Sequence, residues 1–163
     1  MNTPAYIVIT PVRDEADYVG LTIESMVNQR VRPDRWIIVN DGSTDETPKI
    51  LDAAAARHPW ISVIHRRNRG ARASGGGVVE AFSDGYSQLT GSAWQFLVEL
   101  DGDLSFDRDY FSRCLEKFAA DPKLGIAWAQ YPSTNPAMES ISAAVTTPCP
   151  PRPCIRISNT AAS

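Results

Sequence analysis

The sequence predicts an α/β fold, a mainly parallel sheet flanked by helices, and two features carry that prediction. Strand-like and helix-like segments alternate from the N-terminus to about Tyr131, the order that builds a parallel sheet covered on both faces. The fourth strand-like run, Phe96-Leu97-Val98-Glu99-Leu100, leads directly into Asp101-Gly102-Asp103. Carboxylates at the carboxyl end of a buried strand stand where open α/β sheets bind ligands. The length of 163 residues is that of one domain, and 43% apolar with 21% charged residues suffices for a packed core.

Taken in order, residues 5–10 are apolar and β-branched, and Pro11 ends the run. Residues 16–29 are helical, with Val19, Ile23, Met26 and Val27 on one face. Residues 36–39 form a second short strand that stops at Asn40-Asp41-Gly42. Ser43 with Glu46 three residues on has the form of a capping box opening a helix through Ala56. Residues 61–65 read as a third strand. A helix over 72–88 starts weakly because of Gly75-Gly76-Gly77. Residues 94–100 are the fourth strand, followed by a helix near 107–119 with Phe111, Cys114, Leu115 and Phe118 on one stripe. Residues 125–130 make a fifth strand.

From residue 132 the composition changes. The stretch 132–163 holds six of the twelve prolines, nine Ser or Thr, one acidic residue (Glu139) and no aromatic residue. Such a segment is expected to bury too little apolar surface to offset its ordering entropy. Residues 1–131 are therefore expected to form the domain, and 132–163 a Pro/Ser/Thr-rich tail, disordered or frame-shifted.

The loops after the four strands share one edge of a parallel sheet. They carry Pro11-Val12-Arg13-Asp14-Glu15, then Asp41-Gly42-Ser43, then Arg66-Arg67-Asn68-Arg69-Gly70-Ala71-Arg72, then Asp101-Gly102-Asp103. Acidic groups suited to a base, a ribose or a metal thus stand beside arginines suited to phosphate. Asp101 and Asp103 alternate along an extended backbone and can face one side, with Gly102 allowing close approach. Two hard oxygen donors so placed repel unless a cation lies between them, and Mg²⁺ or Mn²⁺ with a phosphate is the usual solution. The plainer readings are a strand-to-helix turn for Asp-Gly-Asp, a turn or cap role for Asp41, and a solvated loop for the arginines.

Three segments in this order, Ile7-Val8-Ile9-Thr10-Pro11-Val12-Arg13-Asp14-Glu15, Val39-Asn40-Asp41-Gly42-Ser43-Thr44-Asp45 and Leu100-Asp101-Gly102-Asp103, resemble the successive motifs of family 2 glycosyltransferases. The resemblance covers about residues 4–131. It implies the GT-A nucleotide-diphospho-sugar transferase-like (Rossmann-like) fold, here incomplete at the C-terminus, and transfer of a sugar from a nucleotide-diphosphate donor to an acceptor hydroxyl with inversion. By position, Pro11, Arg13 and Glu15 would line the nucleoside pocket and Asp41 would hydrogen-bond the base. Asp101 would reach the ribose or the metal, and Asp103 would hold the Mn²⁺ or Mg²⁺ that bridges the diphosphate. Ser105 stands where some relatives supply a further ligand. Arg67 and Arg72 are the candidates for the diphosphate. Arg13 departs from the aromatic residue common at its position.

The resemblance also implies a general base for the acceptor hydroxyl, often in a downstream Glu-Asp pair, and after Asp121 the chain's sole acid is Glu139. Donor binding is therefore expected more readily than catalysis, and a non-catalytic nucleotide-sugar binder is the first alternative. A haloacid dehalogenase-type phosphohydrolase, with Asp101 as nucleophile and Asp103 as general acid, is the second. It lacks the further acidic ligands and leaves Asp41 and the 11–15 loop unexplained.

Composition narrows the partners. A net charge of −3 argues against a nucleic-acid grip. No apolar stretch approaches the roughly 20 residues that span a bilayer, and the N-terminus has no signal-peptide pattern. A cytoplasmic protein, at most peripheral to a membrane, is expected. The acceptor class (glycan, lipid or small molecule) is open. Cys114 is expected to pack as a small hydrophobe, and Cys149 and Cys154 lack the partners of a zinc site.

Overall fold

The structure, a computed structural model, describes residues 4–70, 76–89, 94–121, 126–130, 140–144 and 154–158. Its elements in chain order are β1 (Tyr6–Val12), α1 (Val19–Val27), β2 (Arg35–Asn40), α2 (Thr47–Arg57), β3 (Ile61–His65), α3 (Gly76–Ser87), β4 (Phe96–Leu100), α4 (Tyr110–Ala120), β5 (Ile126–Gln130), β6 (Ser140–Ala144) and β7 (Cys154–Ser158). They form one sheet of order β3-β2-β1-β4-β7-β5-β6. Every pairing is parallel except β5 with β6.

The two-residue period of the strands divides the core. Tyr6, Val8, Val12, Trp36, Ile38, Val98 and Leu100 face α1, α2 and α4, whose Met26, Leu51, Phe111 and Leu115 fill that side. Ile7, Ile9, Ile37, Val39 and Leu97 face the other way, onto Ala81 of α3. Central strands apolar on both faces are what a sheet sandwiched between helices requires. Two polar contacts fix the first layer: the Trp36 indole donates to the buried Thr10 Oγ1 at 2.8 Å, and the Tyr6 hydroxyl donates to the Val31 carbonyl at 2.6 Å. Burial holds that phenol well above its ordinary pKa. Cys114 is buried in the same layer, as expected of a small hydrophobe.

Four departures from the sequence expectations have local causes. Helix α1 starts at Val19 rather than residue 16, because the backbone amides of 14–16 are bonded to the side chains of Ser43, Thr47 and Asp45 instead. The Ser43/Glu46 capping box does not form. Glu46 is the N-cap of α2 without a side-chain cap bond, Ser43 Oγ accepts the Asp14 amide, and Asp45 accepts the Thr47 amide. Asp101-Gly102-Asp103 follows the end of β4 as a turn rather than as extended chain. Strands β6 and β7 lie in the stretch 132–163, expected to be without structure. Cys154-Ile155-Arg156-Ile157-Ser158 alternates apolar with polar residues. That strand signal is too short to stand out among prolines, and ladder bonds to β4 and β5 complete it.

Candidate functional site

The loops at the carboxyl edge of the sheet are bonded to one another. Asp14 adopts a left-handed backbone, φ 52°, uncommon for a residue with a side chain. Its amide donates to Ser43 Oγ at 2.9 Å, and its Oδ1 accepts the Thr44 amide at 2.7 Å. The Glu15 amide donates to Thr47 Oγ1 at 2.9 Å and the Ala16 amide to Asp45 Oδ2 at 3.0 Å. Desolvation works against the Asp45 carboxylate, but the bonds from Thr47 and Ala16 prevail and lower its pKa. The β1 and β2 loops are thus sewn together by reciprocal side chain-to-backbone bonds. The β3 loop lies on the β2 loop at Gly42, where φ is 71° and a Cβ would stand 2.5 Å from Asn68 Cα. A side chain there meets backbone, which cannot yield.

Asp41, with 11% of its side chain exposed, is the charge centre of this edge. Its Oδ1 accepts Arg66 Nη1 at 2.6 Å and Arg69 Nη2 at 3.4 Å. Arg13 Nη1 stands 3.9 Å from Oδ2, and Arg13 Nη2 donates to Asn68 Oδ1 at 3.3 Å. Helix α3 holds the arginines from behind: Arg66 reaches Glu80 at 3.2 Å and Asp84 at 2.8 Å, and Arg69 bonds Glu80. The Arg69 hydrogen bond, seconded by Arg66, holds the Glu80 carboxyl below its ordinary value, and Arg69 is shifted up in turn. Two guanidiniums so tethered present fixed donors, the property that suits arginine to phosphate and carboxylate recognition.

The Asp-Gly-Asp turn adjoins the β1 loop. A Cβ on Gly102 would stand 2.5 Å from Val12 Cγ1 and overlap Glu15 Oε2. The glycine is therefore the place where the turn closes against β1. Exposure alternates beyond β4: Gly102, Leu104 and Phe106 are buried, whereas Asp101, Asp103 and Ser105 are accessible. Both carboxylates and the serine hydroxyl thus stand on the accessible side, although the backbone turns.

The structure brings Pro11, Arg13, Glu15, Asp41, Asp101 and Asp103 to one edge. Glu15 packs behind the acidic turn. Arg67 is exposed, with no ion pair among the described residues, and Arg72 lies outside them. The arginines that engage Asp41 are Arg66 and Arg69, which the spacing of the run did not single out. The first of them is marked by its place at the end of β3, since the Arg66 amide still donates to the Asn40 carbonyl at 2.8 Å.

A divalent cation is tested by the donor set. Among the described residues no three or more His, Cys, Asp or Glu gather into a protein cage. Two carboxylates on one accessible turn instead match Mg²⁺ or Mn²⁺, which take one or two carboxylates and complete their shell with phosphate oxygens and water. The residues present fit such an ion.

An α/β sandwich with this strand-end edge defines a GT-A nucleotide-diphospho-sugar transferase fold. The chain belongs to glycosyl transferase family 2, whose model matches residues 7–142. It is 26% identical over 135 residues to a hyaluronan synthase of Pasteurella multocida, covering 83% of this chain and 13% of that protein. It is 29% identical over 142 residues to the putative glycosyltransferase EpsH of Bacillus subtilis, covering 86% of this chain and 38% of the relative. The fold is similar to a mannosyltransferase, PcManGT from Pyrobaculum calidifontis, solved in complex with GDP-Man and Mn²⁺. That match has a TM-score of 0.63 and 23% identity, and covers 80% of this chain and 36% of the other. The chain thus spans well under half the length of each. No helix among the described residues is long and apolar enough to cross a membrane.

Proposed function

We propose that this chain binds the donor of a sugar transfer, a nucleoside-diphosphate sugar held with Mn²⁺ or Mg²⁺, in a reaction that passes the sugar to an acceptor hydroxyl with inversion. One observation carries the reading: Asp41 with its arginines and the Asp101-Gly102-Asp103 turn are joined, through the 11–15 loop, into a single edge of the sheet. In this reading Asp41 accepts a hydrogen bond from the base, and Pro11, Arg13 and Glu15 shape the nucleoside pocket. Asp101 and Asp103 hold the cation, which supplies positive charge against the leaving diphosphate. Arg66 and Arg69, held by α3, offer the guanidinium N–H groups their carboxylate partners leave over, with Arg67 and Arg72 as further candidates for the diphosphate. Such preorganised charge favours breakage of the bond between the sugar and the diphosphate, because it meets the negative charge that develops there. The acceptor is a glycan, a lipid or a small molecule, and the setting is cytoplasmic.

Titration of UDP and GDP, each with and without Mn²⁺, tests the assignment. Binding should strengthen with the metal, and Asp103→Ala should remove the metal-dependent part. If neither diphosphate binds more tightly with Mn²⁺, the donor-site reading is overturned.

A further inference from the structure

We infer that Thr22, on α1 and remote in sequence from the Asp101-Gly102-Asp103 turn, is the positioning residue that aims the Asp103 carboxylate; the inference rests on the donor-site reading. Thr22 is fully buried. Its Oγ1 lies 2.6 Å from the Gly102 carbonyl and 2.7 Å from the Leu104 carbonyl, and it accepts the Leu104 amide at 3.0 Å. The Gly102 carbonyl belongs to the peptide group before Asp103, and the Leu104 amide to the peptide group after it. One hydroxyl therefore holds both peptide planes that flank the Asp103 α-carbon. The Leu104 amide bond, together with the Gly102 carbonyl whenever the hydroxyl turns to it, restrains ψ and φ of Asp103 and with them the direction of its Cα–Cβ bond. The hydroxyl has one hydrogen, which serves one carbonyl at a time, while its lone pairs serve the Leu104 amide.

The surroundings make Thr22 a rigid anchor. β-Branching restricts its χ1, and α1 with the residues just after it is tied to the segment from Phe106 into α4 at further points. Ser25 Oγ accepts the Phe106 amide at 3.3 Å, and Gln29 donates to the Asp107 carbonyl at 2.6 Å and accepts the Phe111 amide at 3.1 Å. Of these anchors, Thr22 is the one that meets the two peptide groups of Asp103. Asp103 itself is exposed, so its direction is set from the buried side of the turn. Groups hydrogen-bonded to a ligating side chain typically change metal affinity about 10- to 100-fold when removed, and Thr22, which acts through the backbone of the ligand, belongs at the lower end of that range.

The test uses the full chain, Mn²⁺ as probe followed by the loss of its free-ion electron-paramagnetic signal, and saturating UDP or GDP. Thr22→Val keeps the shape and removes the hydroxyl. It should weaken Mn²⁺ binding about tenfold or more, whereas Thr22→Ser should restore it to within about threefold. Binding of the same diphosphate in EDTA should be unchanged in both, which separates aim at the metal from general damage. Ser25→Ala loosens the same loop beyond Leu104 and should leave Mn²⁺ affinity near that of the parent chain. Hydrogen exchange at the Leu104 amide of the parent chain gives a measure that survives a poorly folded variant: it should be protected as strongly as the amides of α1. Fast exchange there, or Thr22→Val with parental Mn²⁺ affinity while Asp103→Ala loses it, overturns the role of Thr22 and leaves the donor site standing. Asp103→Ala with parental Mn²⁺ affinity removes the donor-site reading, and this inference with it.

Discussion

At the residue scale, Asp41 combines burial with three guanidiniums, and its two roles can be separated by substitution. Asp41→Asn preserves volume but removes the charge that Arg66 and Arg69 bind. A hydrogen bond to a charged group is worth roughly 1.5–3 kcal/mol, so nucleoside-diphosphate affinity should fall about ten- to a hundredfold, read by calorimetry at a temperature where both proteins are folded. Unchanged affinity would confine Asp41 to a structural role. In the core, Thr10→Val keeps shape but strands the buried Trp36 indole N–H. It should lower stability by about 1–3 kcal/mol, seen as a reduced urea midpoint with an unchanged slope. Asp41 was legible from its place after a strand. Thr22 was not, because its function lies in contacts 80 and 82 residues away along the chain, which no local pattern records.

At the scale of elements, helix α3 and the arginine loop form a clamp with a defined pH response. Glu80 is held below its ordinary 4.5 by Arg69 and Arg66, so the folded chain binds fewer protons there than the unfolded one. Stability from this contact is complete above pH 4.5 and is lost as the pH falls through the lowered value. Asp45 follows the same sign from 3.8. Melting temperature should therefore drop as acid is added below about pH 4.5, and Glu80→Gln should flatten the upper part of that drop. A profile identical in the variant would show that the clamp contributes nothing in solution. The strands and helices through α4 were legible because periods of two and 3.6 are written locally. The engagement of Asp41 by Arg66 and Arg69 was not, since it depends on where Glu80 and Asp84 stand on a helix packed against the sheet's other face.

For the whole molecule, binding at the strand-end edge should act on global stability, because the loops that form it follow β1, β2, β3 and β4 and several are bonded to one another. A ligand that binds only the folded chain at about 100 times its Kd adds about 2.7 kcal/mol. At roughly 2–4 °C per kcal/mol for a domain of this size, Mn²⁺ with UDP or GDP should raise the melting temperature by about 5–10 °C. Asp103→Ala should lose the metal-dependent portion of that rise, and a chain whose melting ignores both metal and nucleotide would contradict the proposed donor site.

The sequence by itself determined the sandwich and the edge. Apolar strands alternating with amphipathic helices admit one economical packing, and parallel connectivity sends the Pro11–Glu15, Asp41 and Asp101–Asp103 segments to the same side. Tertiary structure decided which groups meet there. The pairing of Asp41 with Arg66 and Arg69, the grip of Thr22 on the acidic turn, and the addition of β7 between β4 and β5 all join residues distant in sequence. Their geometry follows from the docking of helices on the sheet and of strands on one another, and that is set by packing in three dimensions rather than by any local periodicity.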